Sequence, residues 1–90
     1  MRLDVWKYKS NTNGIRKMCE LNSGMELDRL CSTISVATHI PLLAVYYIIE
    51  EILGSSKELE DMKIKIKEFY KYEEVVLDQP DAIAHTKDSL

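Results

Sequence analysis

Apolar residues along this chain recur with three different periods, and each period predicts a different element. Leu27, Leu30, Cys31 and Ile34 stand three, one and three residues apart, which places them on one face of a helix and predicts an amphipathic helix reaching Thr38. Ser23 with Glu26 reads as the S-x-x-E capping box that starts it. After a turn at His39 and Ile40 the pattern changes. Leu42, Leu43, Val45, Tyr46, Tyr47, Ile48, Ile49, Ile52 and Leu53 circle nearly the whole cylinder of the next helix. A helix so widely apolar must be covered on more than one side, by the C-terminal segment or by a second subunit. Pro41, at a first helical position where a missing N–H costs nothing, opens this helix. Gly54 closes it.

Two periods compete in the segment from Ser55 to Leu77. As a helix, Ser55 and Glu58 form a second capping box, and Leu59, Met62, Ile66, Phe69, Tyr70, Val76 and Leu77 fall along one stripe. As a wing, Met62, Ile64 and Ile66 alternate with Lys63, Lys65 and Lys67 in strict period two. No Asn-Gly or Asp-Gly hairpin turn flanks that alternation, so a long C-terminal helix is the preferred reading. At the other end, RLDVWKYKS reads as a short strand or ordered arm, and Ser10 to Gly14 as a turn-rich break. A short helix from Gly14 to Leu21 follows, with Asn13 as N-cap and Ile15, Met18, Cys19 and Leu21 turned inward. Past Asp78 the chain is polar and carries Pro80. The expected organisation is one domain over residues 1–78 and a loosely held tail over 79–90.

Composition narrows the functional classes. Ninety residues, 46% apolar and 30% charged, are a globular mixture for one small domain. Such a chain buries only about two thirds of its unfolded surface, so a homo-oligomer or other partner is expected to add stability. No apolar run approaches the roughly 18 residues of a membrane span and no signal pattern opens the sequence, so a cytoplasmic protein away from membranes is expected. Cys19 and Cys31 have no zinc-finger partners and read as buried free thiols. There is no Gly-rich phosphate loop, His-Glu-x-x-His or G-x-S-x-G in the sequence, so no enzyme, metal or cofactor is expected. His39 reads as a structural turn residue, and Glu50 beside Glu51 as a solvated face, since neighbours on a helix diverge by about 100°.

The formal net charge is −3, whereas a nucleic-acid binder is expected to carry a basic stripe. The charge is uneven. Residues 1–20 hold Arg2, Lys7, Lys9, Arg16 and Lys17 against Asp4 and Glu20, a net +3, and form the only basic block. Trp6 and Tyr8 interleave with these cations, a pattern that serves stacking and phosphate contact but is read here first as a strand with Trp6 packed on the helices. Lys63, Lys65, Lys67 and Lys71 are interspersed with acids and read as a solubilising face.

The stretch Ala37, Thr38, His39, Ile40, Pro41, Leu42, Leu43, Ala44, Val45, Tyr46, Tyr47, Ile48, Ile49 resembles the second helix of bacterial and phage winged helix-turn-helix regulators. The family pattern is a small residue, Thr, Gly, an aliphatic residue, Pro, two polar residues, Thr, Val, Tyr and further aliphatics. The resemblance, within Cys31 to Leu53, covers about a quarter of the chain. It implies a mainly α, helix-turn-helix DNA-binding regulator, acting as a dimer with double-stranded DNA as partner. The helix after Pro41 would enter the major groove, presenting Leu42, Leu43 and Tyr47. Ser32, Thr33, Ser35 and Thr38 would touch the backbone, and Arg16 and Lys17 phosphates. Three departures carry physical meaning. His39 replaces glycine at a turn position that often needs positive φ. Leu42 and Leu43 can meet only a thymine methyl. Residues 21–54 hold Arg29 against Glu26, Asp28, Glu50 and Glu51, a net −3 beside the surface that would approach phosphate.

The alternative is a phage- or plasmid-type adaptor or inhibitor that keeps a helical fold and binds protein through an apolar face. Its candidate interface is Leu43, Tyr46, Tyr47, Phe69, Tyr70 and Val76. Salt separates the two: DNA binding falls steeply with ionic strength, and apolar burial does not.

Overall fold

A computed structural model describes residues 1–80. In chain order the elements are strand β1 (Arg2–Asp4), a 3-10 helix (Val5–Asn11), helices α1 (Thr12–Leu21), α2 (Leu27–Thr38), α3 (Leu42–Leu53) and α4 (Lys57–Tyr70), and strand β2 (Glu74–Val76). The protein is therefore mainly helical with a short N-terminal strand. The expected tail over 79–90 lies outside the described residues except for Gln79 and Pro80, which are exposed.

The all-round apolar pattern of α3 is explained by its place in the middle. Leu43, Ala44, Val45, Tyr46, Ile48 and Ile49 are all fully buried. Around α3 pack α1, α2, α4 and the 3-10 helix, contributing Ile15, Leu30, Cys31, Ile34, Leu59 and Val5 to the same core. The cover thus comes from the chain itself, including the C-terminal segment. Among the described residues no buried side chain is charged, so α3 is held by apolar packing.

The turn between α2 and α3 bends the chain by 119°. His39 takes the left-handed conformation, φ 60° and ψ 24°, as its position in the sequence required. Two hydroxyls fasten the bend. Ser35 Oγ donates to the Ile40 carbonyl at 2.6 Å, and Thr38 Oγ1 donates to the Ile34 carbonyl at 2.6 Å and accepts from the Ile40 N–H at 3.4 Å. Pro41 is the N-cap, one place before the expected first helical position. At the far end Gly54, φ 87°, ends α3 and its N–H donates to the Glu50 carbonyl at 2.8 Å.

Several expectations need correction. The turn-rich break at Ser10 to Gly14 is helical: the 3-10 helix runs through Asn11 into α1, which starts at Thr12. Asn13 is therefore inside α1, and its side chain accepts from Arg16 instead of capping. The capping box at Ser23 and Glu26 does not form; Ser23 lies in the preceding turn and Glu26 is an N-cap without a side-chain bond. The cap of α4 is Ser56, one residue after the predicted Ser55, and its Oγ accepts from the Leu59 N–H at 3.2 Å. Met62 to Tyr70 is helix, not wing. The helix stops at Lys71, which is left-handed at φ 52°, so Val76 belongs to β2 and not to the helical stripe. β2 pairs parallel with β1, Leu3 opposite Val75 and Asp4 opposite Val76, with the whole helical body as the crossover between them.

Candidate interaction site

Side chains named from the helix-turn-helix resemblance are scattered by this fold. Leu43 and Tyr46 have no exposed surface, so neither can meet a base or a partner while the core is intact. Both are corrected from site residues to core residues. The Tyr46 hydroxyl donates to Glu50 Oε2 at 3.0 Å, and burial, with Glu50 beside it, holds its proton well above the usual phenol range. Leu42 and Tyr47 are half-buried. Ser35 and Thr38 are half-buried with their hydroxyls bound inside the turn, and only Ser32 and Thr33 among the four hydroxyl residues face outward.

Cations of the N-terminal block are mostly occupied by acids of the same chain. Arg2 Nε lies 2.8 Å from Asp4, and Lys7 Nζ 3.4 Å from the same carboxylate. Lys9 Nζ lies 2.9 Å from Glu51 and 3.1 Å from Asp78. The hydrogen bond from Arg2 holds Asp4 below the usual carboxylate range, and the bond to Glu51 holds Lys9 above the usual ammonium range. Arg16 and Lys17 are exposed on α1, Arg16 bonded only to Asn13. Within the N-terminal block these are the two cations not paired with an acid among the described residues.

Two features stand out on the surface, the first of them not legible in the sequence. The first is a cleft between α2 and α4. Its apolar seat, about 110 Å³, is lined by Cys31, Leu42, Met62 and Ile66 with Asp28, Ser32 and Lys65 at the edge. An adjoining cavity of about 290 Å³ shares Asp28, Met62 and Lys65 and adds Glu26, Glu58 and Asp61. Burial pushes the Cys31 thiol up to about 12, so this cysteine is an apolar wall and not a thiolate ligand. The second feature is aromatic. Phe69 is 78% exposed; its ring meets Tyr70 edge-on at 4.9 Å, and Tyr70 stacks on Tyr72 at 6.0 Å. Phe69 and Tyr70 were expected as interface residues, and both are on the surface. Val76, expected beside them, is half-buried in β2.

Among the described residues no group of three His, Cys, Asp or Glu is placed to hold a metal ion, and no single helix is long and apolar enough to cross a membrane. Neither a family model, nor a curated protein, nor a solved structure matches the chain.

Proposed function

We propose that the chain is a protein-binding adaptor or inhibitor built on a small helical fold. The observation that carries this reading is the exposed aromatic set at the end of α4, where Phe69 is 78% exposed with Tyr70 and Tyr72 packed behind it. A large aromatic ring at the surface has few rotatable bonds to order on binding and buries much area, which is why aromatics concentrate at protein interfaces. Of the expected interface residues, Leu43 and Tyr46 are core, whereas Phe69 and Tyr70 of α4 are on the surface.

Duplex DNA is the second reading. What favours it is the 119° bend between α2 and α3 over a three-residue turn, a geometry within the range of helix-turn-helix units. Against it, α3 is committed to the core, and the N-terminal cations Arg2, Lys7 and Lys9 are paired within the chain.

A photo-reactive benzoyl-phenylalanine in place of Phe69 tests the proposal in the cell of origin. The expected result is a discrete protein adduct that is absent when the same group replaces the exposed Glu20 on α1. Adducts to nucleic acid, or the same pattern from both positions, would overturn it.

A further inference from the structure

The α2–α4 cleft has a charge that its size does not lead one to expect. Glu26, Asp28, Glu58 and Asp61 stand at its edge against the single cation Lys65, a net −3 that equals the formal charge of the entire chain. The acids come from the N-terminal parts of two helices that lie side by side, Glu26 and Asp28 from α2 and Glu58 and Asp61 from α4. Beneath it the seat is apolar: Cys31 from α2, Leu42 from the start of α3, and Met62 and Ile66 from α4. A cavity of roughly 150 Å³ holds a benzene molecule, so a seat of about 110 Å³ holds one branched aliphatic or methionine side chain. Phe69 lies four residues beyond Lys65 and seven beyond Met62, on the same stripe of α4, and continues the apolar track past the seat.

We propose that this cleft receives a basic amphipathic helical segment of a partner protein. One apolar side chain of that segment sits on Cys31, Leu42, Met62 and Ile66, and its lysines or arginines meet Glu26, Asp28, Glu58 and Asp61. The inference rests on the protein-binding reading and adds the chemistry of the partner. Charge complementarity decides the occupant. An acidic or phosphorylated segment would face a net −3, and a neutral apolar one would leave the carboxylates without partners. It also gives Leu42 a role: the residue that the resemblance would aim at a base edge is part of the seat.

The test uses the full chain and a fluorescein-labelled model helix of Lys and Leu in amphipathic order, with a Glu and Leu helix of the same pattern as control. The Lys/Leu helix is expected to bind saturably and to shift the methyl NMR signals of Met62, Leu42 and Ile66; the Glu/Leu helix is expected to leave them unmoved. Replacing Glu58→Gln together with Asp61→Asn, both exposed on the first turns of α4, is expected to raise the dissociation constant about tenfold, with the helical circular dichroism retained. Met62→Gln supplies an independent variant that makes the seat polar and leaves the rim charge unchanged. Binding of the Lys/Leu helix that neither variant weakens, or signal shifts confined to other surfaces, would overturn the inference. So would absence of binding. Self-association that is abolished by Arg16→Glu with Lys17→Glu would overturn it in favour of a second copy as occupant. A parallel titration with labelled duplex keeps the two levels apart: duplex binding overturns the protein-binding reading, whereas failure of the helix without duplex binding overturns the cleft alone.

Discussion

Leu43 separates a helix that reads DNA from a helix that makes the core, and a single truncation measures which it is. Its side chain has no exposed surface and lies among residues of α1, α2 and α4. Leu43→Ala removes three carbons and leaves a cavity that the surrounding helices can close only in part, which costs about 2–5 kcal/mol. At roughly 0.05–0.15 kcal/mol per residue, a domain of this size has a total stability of about 4–12 kcal/mol, so the change consumes a large share of it. With about 4–8 °C lost per kcal/mol for a domain this small, the melting temperature is expected to fall by more than about 10 °C. An exposed leucine poised over a groove would cost under about 0.5 kcal/mol. Thermal and urea unfolding followed by far-UV circular dichroism reads the difference directly. A shift smaller than about 3 °C would refute the placement of α3 and return Leu43 to the surface.

Other consequences follow from the caps, the turn and the buried thiols. Ser56→Ala is expected to cost about 1 kcal/mol because it removes the acceptor for the Leu59 N–H; Ser23→Ala, outside any cap, is expected to lie within about 0.5 kcal/mol of wild type, and equal losses would contradict the observed cap. His39→Gly relieves a left-handed residue at φ 60° and is expected to raise stability by about 0.5 kcal/mol, the relief of about 1–2 exceeding the added chain entropy of roughly 0.5–1; a lower urea midpoint would argue against that geometry. Burial raises Cys31 from its ordinary value to about 12, so its contribution is complete below about pH 8.5 and is lost as pH rises towards the folded value. The urea midpoint should fall between about pH 8 and 10.5, and fall less in Cys31→Ala; an identical fall in both proteins would remove the thiol as a cause.

How much of this was legible depends on the range over which each signal acts. The bounds of α3, Leu42–Leu53, follow from Pro41 and Gly54, both local. Its central position was legible too, because an apolar circuit admits no solvent-facing side. The left-handed turn at His39 could be read from the glycine position it occupies. By contrast, β1 and β2 are three residues each and pair across the whole body of the domain, so Val76 looked like part of a helical stripe. The cap of α4 was misplaced by one residue because Ser55 and Ser56 are chemically alike, and the structure uses Ser56, whose backbone is extended. The cleft was invisible for a different reason. Its acids lie in two runs thirty residues apart, each unremarkable alone, and they add only when α2 and α4 lie side by side. Similarly, the basic block at residues 1–20 was visible as charge, while its pairing with Glu51 and Asp78 was not.

The central claim is that the surface of this fold is made for protein and not for duplex. Fluorescence-detected sedimentation of the full chain with a labelled random duplex, at low and at physiological salt, tests it most directly. The account predicts that the duplex sediments unchanged at both, since the exposed cations are interspersed with acids on a chain whose formal net charge is −3. A duplex that shifts onto the protein at low salt and leaves it steeply as salt rises would contradict the account and restore the DNA-binding reading.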